Sequence, residues 1–265
     1  MEIDTYIFSW PKVQHRIGKI VNDLRKMGLT RITIISSGEY PFEHEDVSIL
    51  NLDVNAHYGE QFLAAVNMFN SDVFLQIQGD IEIKGHLNLK MHLMSIFENQ
   101  EIGIWTPTIN FTSWVDPIVQ LEYDFKDHKV SGKAFKNQSI VILNSDCTFW
   151  ALRSNLIYEY KATPLTNSKY GWGIDITLSA LSYLNQMLVI KDKRVYVKHP
   201  RTTGYAKDAA LKEWLEIRHD LSTRIKPVLW LISTLMEARS AKHNRKITVR
   251  FNHLIHRIKM TLLRS

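Results

Sequence analysis

The chain has 265 residues, 45% of them apolar and 23% charged, and a formal net charge of +6. That length supports a sizeable core near the upper limit for one domain, and the composition excludes a disordered or low-complexity protein. A single cysteine, Cys147, excludes an internal disulfide and a cysteine-rich zinc site. The longest apolar run near the C-terminus, Val228 to Met236, is too short to span a bilayer.

Met1 to Asp4 carries acids where a secretory signal would carry basic residues, so the expected location is cytoplasmic. The charge is uneven. From Lys212 to Ser265 there are twelve Lys or Arg against four acids, a local +8, which leaves residues 1 to 211 at −2.

In chain order, Tyr6-Ile7-Phe8 reads as a buried strand, and Val13, Ile17, Ile20, Val21 and Leu24 follow at helical spacing up to Gly28. Arg31 to Ile35 is a second strand and Val47 to Leu50 a third. Phe62, Val66 and Phe69 mark a helix face beginning near Tyr58-Gly59, and Val73 to Ile77 is a fourth strand. Strands alternating with helices predict an α/β fold with a parallel, doubly wound sheet, whose ligands bind beyond the carboxyl ends of the strands. Those ends are Ser9 to Pro11, Ser36 to Tyr40, Asn55 to Gly59 and Gln78 to Glu82.

Leu89, Leu93, Ile96 and Phe97 form another helix face and Ile102 to Trp105 another strand; residues 106 to 138 read as irregular and polar-aromatic, a place for acceptor binding. Ile140 to Leu143 and Thr148 to Leu152 are further strands, with a helix starting near Ser154. Beyond Gly204, Leu221, Ile225, Val228, Leu229, Ile232, Leu235 and Met236 trace one helical stripe, and Ile247, Phe251, Leu254, Ile255, Ile258 and Leu262 another.

The most informative segment is Tyr170-Gly171-Trp172-Gly173-Ile174-Asp175, followed by a helical run from Ile176 to Tyr183 and a strand ending Val195-Tyr196-Val197-Lys198-His199-Pro200. A glycine-flanked tryptophan that delivers one carboxylate at the mouth of a helix, with a histidine just beyond a later strand, resembles sugar-nucleotide-dependent glycosyltransferases of the GT-A fold, family-2-like, across about residues 4 to 205. The resemblance implies a GT-A domain at 1–205 with a basic amphipathic helical tail at 206–265. It also implies an inverting, metal-assisted transfer of sugar from a nucleotide-diphosphate donor to a glycan or lipid-linked acceptor, in cell-surface polysaccharide synthesis.

The same resemblance assigns roles. Gln78-Gly79-Asp80 stands where the family carries Asp-x-Asp, so Asp80 would ligate Mn²⁺ or Mg²⁺ against the diphosphate while Gln78 replaces the first acid. His199 would complete the metal site, and Lys198 and Arg201 would meet phosphate oxygens. Asp175 would be the general base, with Ile174 where many relatives carry a preceding acid. Trp172 would wall the sugar. Ser9, Trp10, Ser37 and Glu39 would line the nucleotide; Asp116, Glu122 and Asp124 lie where acceptor would bind.

Each residue has a structural alternative: a turn cap for Asp80, an N-cap for Asp175, core packing for Trp10 and Trp172, a surface position for His199. Two other functions stay open. One is a non-catalytic or partner-dependent GT-A-like domain that binds nucleotide-sugar or glycan. The other is a nucleotidyltransferase, although the glycine-rich basic loop expected after its first strand is missing. Dinucleotide, Walker, zincin and nucleophile-elbow motifs are absent from the chain. The tail stripes, interleaved with cations, suit a helix on an anionic membrane surface, which would make the protein peripheral on the inner face of the membrane; packing on the body is the alternative, and no nucleic-acid partner is expected.

Overall fold

The structure is a computed structural model that describes residues 1–84, 88–110, 121–122, 139–200 and 206–240, with the side chains of 121–122 and 236–240 left aside. The first half alternates as expected: β1 (Ile3–Ser9), α1 (Gln14–Lys26), β2 (Ile32–Ser37), β3 (Val47–Leu52), α2 (Tyr58–Met68) and β4 (Val73–Gln78). β5 (Glu82–Lys84), α3 (Leu89–Glu98), β6 (Ile102–Asn110), β7 (Leu121–Glu122), β8 (Ser139–Val141) and β9 (Phe149–Arg153) follow. The chain then runs through α4 (Ser154–Lys161), a 3₁₀ turn at Pro164–Asn167, α5 (Ile174–Leu184), β10 (Leu188–Lys198), α6 (Lys207–Asp220) and α7 (Lys226–Ser240).

The strands form one sheet in the order β3-β2-β1-β4-β9-β6-β10-β8-β7, with β5 also paired to β10. β1, β2, β3 and β4 pair in parallel, as do β6 and β10. β9 enters between β4 and β6 antiparallel to both, and β5 and β8 run antiparallel to β10. The expected parallel sheet is therefore interrupted, because a five-residue buried run carries no signal of its direction. β6 also continues to Asn110, past the point where the sequence reads as irregular.

Every residue of β1 is buried, as a central parallel strand with both faces covered requires. Ile3 and Ile7 join one core with Ile17 and Leu24 of α1 and Leu93 and Phe97 of α3. Tyr6 and Phe8 join the other, with Phe62 of α2, Leu156 of α4 and Leu178 of α5. The stripe Leu221, Ile225, Leu229, Ile232 and Leu235 is buried in this second core, so α7 packs on the body with its apolar face inward. Trp230 on the same helix is 68% exposed. The second stripe, 247 to 262, lies outside the described residues.

A buried ionic knot fixes β10. Asp192 is fully buried where the pairing of β10 with β6 shifts register. Its carboxylate meets His92 Nε2 of α3 at 2.5 Å, accepts from Trp105 Nε1 of β6 at 3.1 Å, and accepts from the Arg194 guanidinium at 2.9 and 2.8 Å. Burial opposes the Asp192 charge, but the hydrogen bonds from His92 and Arg194 outweigh it and hold the carboxyl well below the usual range. The knot orients the last residues of β10 and hence His199.

Because α7 shares a core with the sheet, truncation after residue 205 would remove five buried apolar side chains and uncover the core surface they pack on, and burying one such side chain fully is worth about 1.5–3 kcal/mol. The truncated chain is expected to lose its cooperative thermal transition or to aggregate. A soluble product with a transition like that of the full chain would contradict the shared core.

Candidate functional site

Strand direction collects the site. The carboxyl ends of β1, β2, β4, β6 and β10 and the start of antiparallel β9 all lie at one edge of the sheet, as does the N-terminus of α5, which leads back down to β10. Ser9 at the end of β1 lies opposite Ser36, and Gln78 opposite Phe8. Gly79 N donates to the Phe8 carbonyl at 2.8 Å, an approach only glycine permits, since a Cβ there would lie 2.7 Å from that oxygen. The turn delivers Asp80.

Asp80 is buried, with Oδ2 3.4 Å from His199 Nε2, while its Oδ1 has no hydrogen-bond partner among the described residues. His199 is placed by its backbone N–H, which donates to Asn110 Oδ1 at the end of β6 at 3.0 Å. A buried carboxylate oxygen left open beside an imidazole nitrogen is a donor set that suits a divalent cation. Among the described residues no group of three or more His, Cys, Asp or Glu is arranged to hold an ion. Asp80 and His199 therefore offer two of the ligands that a divalent cation takes.

Asp175 stands in the first turn of α5 and is 4% exposed. The N-cap is Gly173, with φ +89°, so the reading of Asp175 as the cap is corrected: glycine takes the left-handed cap conformation and the acid falls two residues inside. Its Oδ1 accepts from Ile176 N at 2.8 Å, and the Asn144 amide donates to the same carboxyl. Burial is the largest influence, and the Asp146 charge adds to it; together they outweigh those hydrogen bonds and lift the Asp175 pKa to about 7.

Asp146 is a site residue that the sequence does not single out. It lies in the segment between β8 and β9, where Thr148 N donates to its Oδ1 at 2.8 Å. Thr148 O in turn accepts from Gln78 N at 2.9 Å, so Asp146 is tied through Thr148 to the strand end that carries Asp80. Burial raises the Asp146 pKa against the Thr148 hydrogen bonds, attraction to His199 lowers it, and repulsion from Asp80 adds to the rise. Its sole sequence signal is a polar run, Asn144-Ser145-Asp146, just before a strand that pairs beside β4.

The remaining candidates divide. Ser9 is buried with its hydroxyl lacking a hydrogen-bond partner among the described residues, its carbonyl held by Gln61 Nε2 at 2.6 Å. Trp10 is half-buried against the core. Ser37 Oγ donates to the Ala56 carbonyl at 2.7 Å. Glu39 offers its carbonyl to Gln14 Nε2 at 2.7 Å. Gln78 and Trp172 are half-buried at the edge. Arg201, Asp116 and Asp124 lie outside the described residues, and Glu122 is described only as backbone in β7.

Known structures share this fold. GalNAc-T7, solved with UDP, GalNAc and Mn²⁺, is similar at a TM-score of 0.56 and 10% identity over 82% of this chain and 47% of that one. S. aureus TarS 1-349, solved with UDP-GlcNAc, is similar at a TM-score of 0.52 and 12% identity over 83% of this chain and 66% of that one. The chain has a GT-A-like fold. A more distant likeness, to UDP-glucose pyrophosphorylase, has a TM-score of 0.47 at 10% identity over 83% of this chain and 100% of that one. No protein-family model and no curated protein matches the sequence. The chain spans about half of the GalNAc-T7 chain and two thirds of the TarS one. Among the described residues no helix is long and apolar enough to cross a membrane.

At this GT-A-like edge the buried Asp175 carries a stability cost with a definite sign. Its folded pKa of about 7 lies above the ordinary value of 3.8, so the fold loses stability as pH rises between those values and bears the full cost above about 7. At 1.36 kcal/mol per pKa unit the ceiling is on the order of 4 kcal/mol. Asp175→Asn is therefore expected to melt higher than wild type at about pH 8, with the gap closing toward about pH 4. A gap independent of pH, or a variant that melts lower at the alkaline end, would contradict this in a thermal-unfolding series.

Proposed function

We propose that the protein transfers a sugar from a nucleotide-diphosphate donor to a hydroxyl of a glycan or lipid-linked acceptor, with inversion at the anomeric carbon. The observation that carries this reading is a buried carboxyl poised at about pH 7, on the same sheet edge as the Asp80–His199 pair. A general base works best with a pKa near the working pH. Asp175 takes the proton from the acceptor hydroxyl as that oxygen bonds the anomeric carbon, and the bond from that carbon to the diphosphate breaks, so the nucleoside diphosphate leaves with the electron pair.

Asp80 and His199 would hold a divalent cation, Mn²⁺ or Mg²⁺, whose chemistry is to neutralise charge building on the departing diphosphate. Ser9, Trp10, Ser37, Glu39 and Gln78, at the ends of β1, β2 and β4, face the nucleotide in this reading, with Arg201 joining on the phosphate side. Trp172 borders the sugar and Asp116 the acceptor. Gln78, where an acid would strengthen cation binding, favours one second reading: a domain that binds nucleotide-sugar or glycan without transferring it.

The variants separate these readings. Asp175→Asn keeps the shape of the side chain and should lower turnover about a hundredfold or more while leaving nucleotide affinity nearly intact. Asp80→Ala should abolish the Mn²⁺-dependent part of nucleotide binding, with His199→Ala weakening it less. Full turnover by Asp175→Asn would remove the base; nucleotide binding without turnover in wild type would favour the binding domain.

Residues 241–265 carry seven Lys or Arg and no acid. We infer that this segment attaches a cytoplasmic enzyme to an anionic membrane surface, where each cation contributes about 1 kcal/mol, screened by salt. Cosedimentation with phosphatidylglycerol vesicles should capture the full chain at low salt, less at high salt, and not a chain truncated after Lys242. A full chain that stays in the supernatant at low salt would end the membrane reading.

A further inference from the structure

We infer that helix α6 is part of the active site, and that Glu213 is a positioning residue that holds the loop 168–173 and, through it, Asp175. The inference rests on Asp175 being the base proposed above. The Glu213 carboxylate accepts three hydrogen bonds from that loop: from the Ser168 hydroxyl, from Lys169 N at 3.0 Å and from Tyr170 N at 3.1 Å. Ser168 Oγ accepts in turn from Gly171 N at 2.8 Å. Three successive backbone N–H groups thus converge on one carboxylate and the hydroxyl it holds. Such charge-assisted bonds are among the stronger ones available to a loop.

The next residue of α6 continues the contact. The Trp214 ring lies against Gly173, where a Cβ would sit 2.2 Å from the ring carbons Cε3 and Cζ3. Gly173 is the N-cap of α5, and Asp175 follows two residues later. On its other side the loop is held by α2: Gly59 N donates to Lys169 O at 3.0 Å, and a Cβ on Gly59 would lie 2.1 Å from Ser168 O. The loop is therefore clamped between α2 and α6.

Among the described residues, the side-chain groups that act on Asp175 most strongly are Asn144, Asp146 and Cys147 from the segment before β9, and Tyr58 from α2. None of them belongs to α6. Glu213 therefore acts on Asp175 through the loop, and releasing the loop should let water reach the carboxyl and draw its pKa back toward the ordinary range.

The test uses the full chain with Glu213→Ala and Glu213→Gln, each alone and combined with Asp175→Asn. Hydrogen exchange at Lys169, Tyr170 and Gly171 should quicken about tenfold or more in Glu213→Ala, and by less in Glu213→Gln, which keeps one acceptor oxygen. The pH-dependent change in melting temperature that Asp175→Asn produces should be smaller in the Glu213→Ala background than in wild type. A merely structural role would lower both melting curves together and leave that change unaltered. Unchanged exchange across 169–171, or an unaltered pH-dependent effect of Asp175→Asn, would overturn the inference. If Glu213→Ala does not fold, the same two readouts on Glu213→Gln decide it. Neither readout needs turnover, so a wild-type chain that proves unable to bind nucleoside diphosphate would refute the proposed function without touching this result.

Discussion

Desolvated carboxylates at one sheet edge constrain everything else in this molecule. Asp80 and Asp175 are buried and Asp146 is half-buried, and Asp146 interacts electrostatically with each of the other two at the ends of β4, α5 and the segment before β9. Taking a charged carboxylate out of water costs several kcal/mol unless a partner compensates, and here the His199 imidazole lies beside Asp80. The fold offsets part of the cost with hydrogen bonds from Asn144, Ile176 and Thr148, and part by shifting Asp175 toward its neutral form. In the proposed reading, the open oxygen of Asp80 is where a cation binds and the Asp175 carboxyl is where a proton is taken.

The rest of the architecture supports that edge. β1, covered on both faces, sets the position from which Gly79 turns the chain toward Asp80. The Asp192 knot fixes β10 from the opposite side, so that His199 arrives beside Asp80 although the two are far apart in sequence. Asp192 and Asp175 are both buried acids with opposite fates. His92 and Arg194 hold the first as a charge, whereas the second has only neutral donors and a repelling neighbour, and its pKa rises. The first is a structural ion and the second a titrating one.

Much of this was legible in the sequence. The periodicities of β1 through β4 and of α1 and α2 are strong because central strands and amphipathic helices write their burial patterns directly into the order of apolar residues. Asp80, Asp175 and His199 are singled out by the GT-A resemblance, whose motifs the flanking glycines and strand ends carry. The antiparallel direction of β9 was not legible, since burial of both faces makes a strand uniformly apolar whichever way it runs. Asp146 could not be found because its proximity to Asp80 depends on that direction. Glu213 acts on a loop far before it in the chain, from a helix whose composition reads as part of a basic tail. Arg201 and Asp116 stay with the sequence expectation, outside the described residues.

The central claim is that this edge is a cation-assisted site for a nucleoside diphosphate carrying a sugar. The most direct measurement is thermal unfolding of the full chain against a panel of nucleoside diphosphates, each with and without Mn²⁺, because a ligand that binds only the folded state raises its melting temperature by mass action. The account predicts that at least one diphosphate raises the melting temperature, and that Mn²⁺ enlarges the rise beyond its effect alone. No shift with any diphosphate, in either condition, would contradict it.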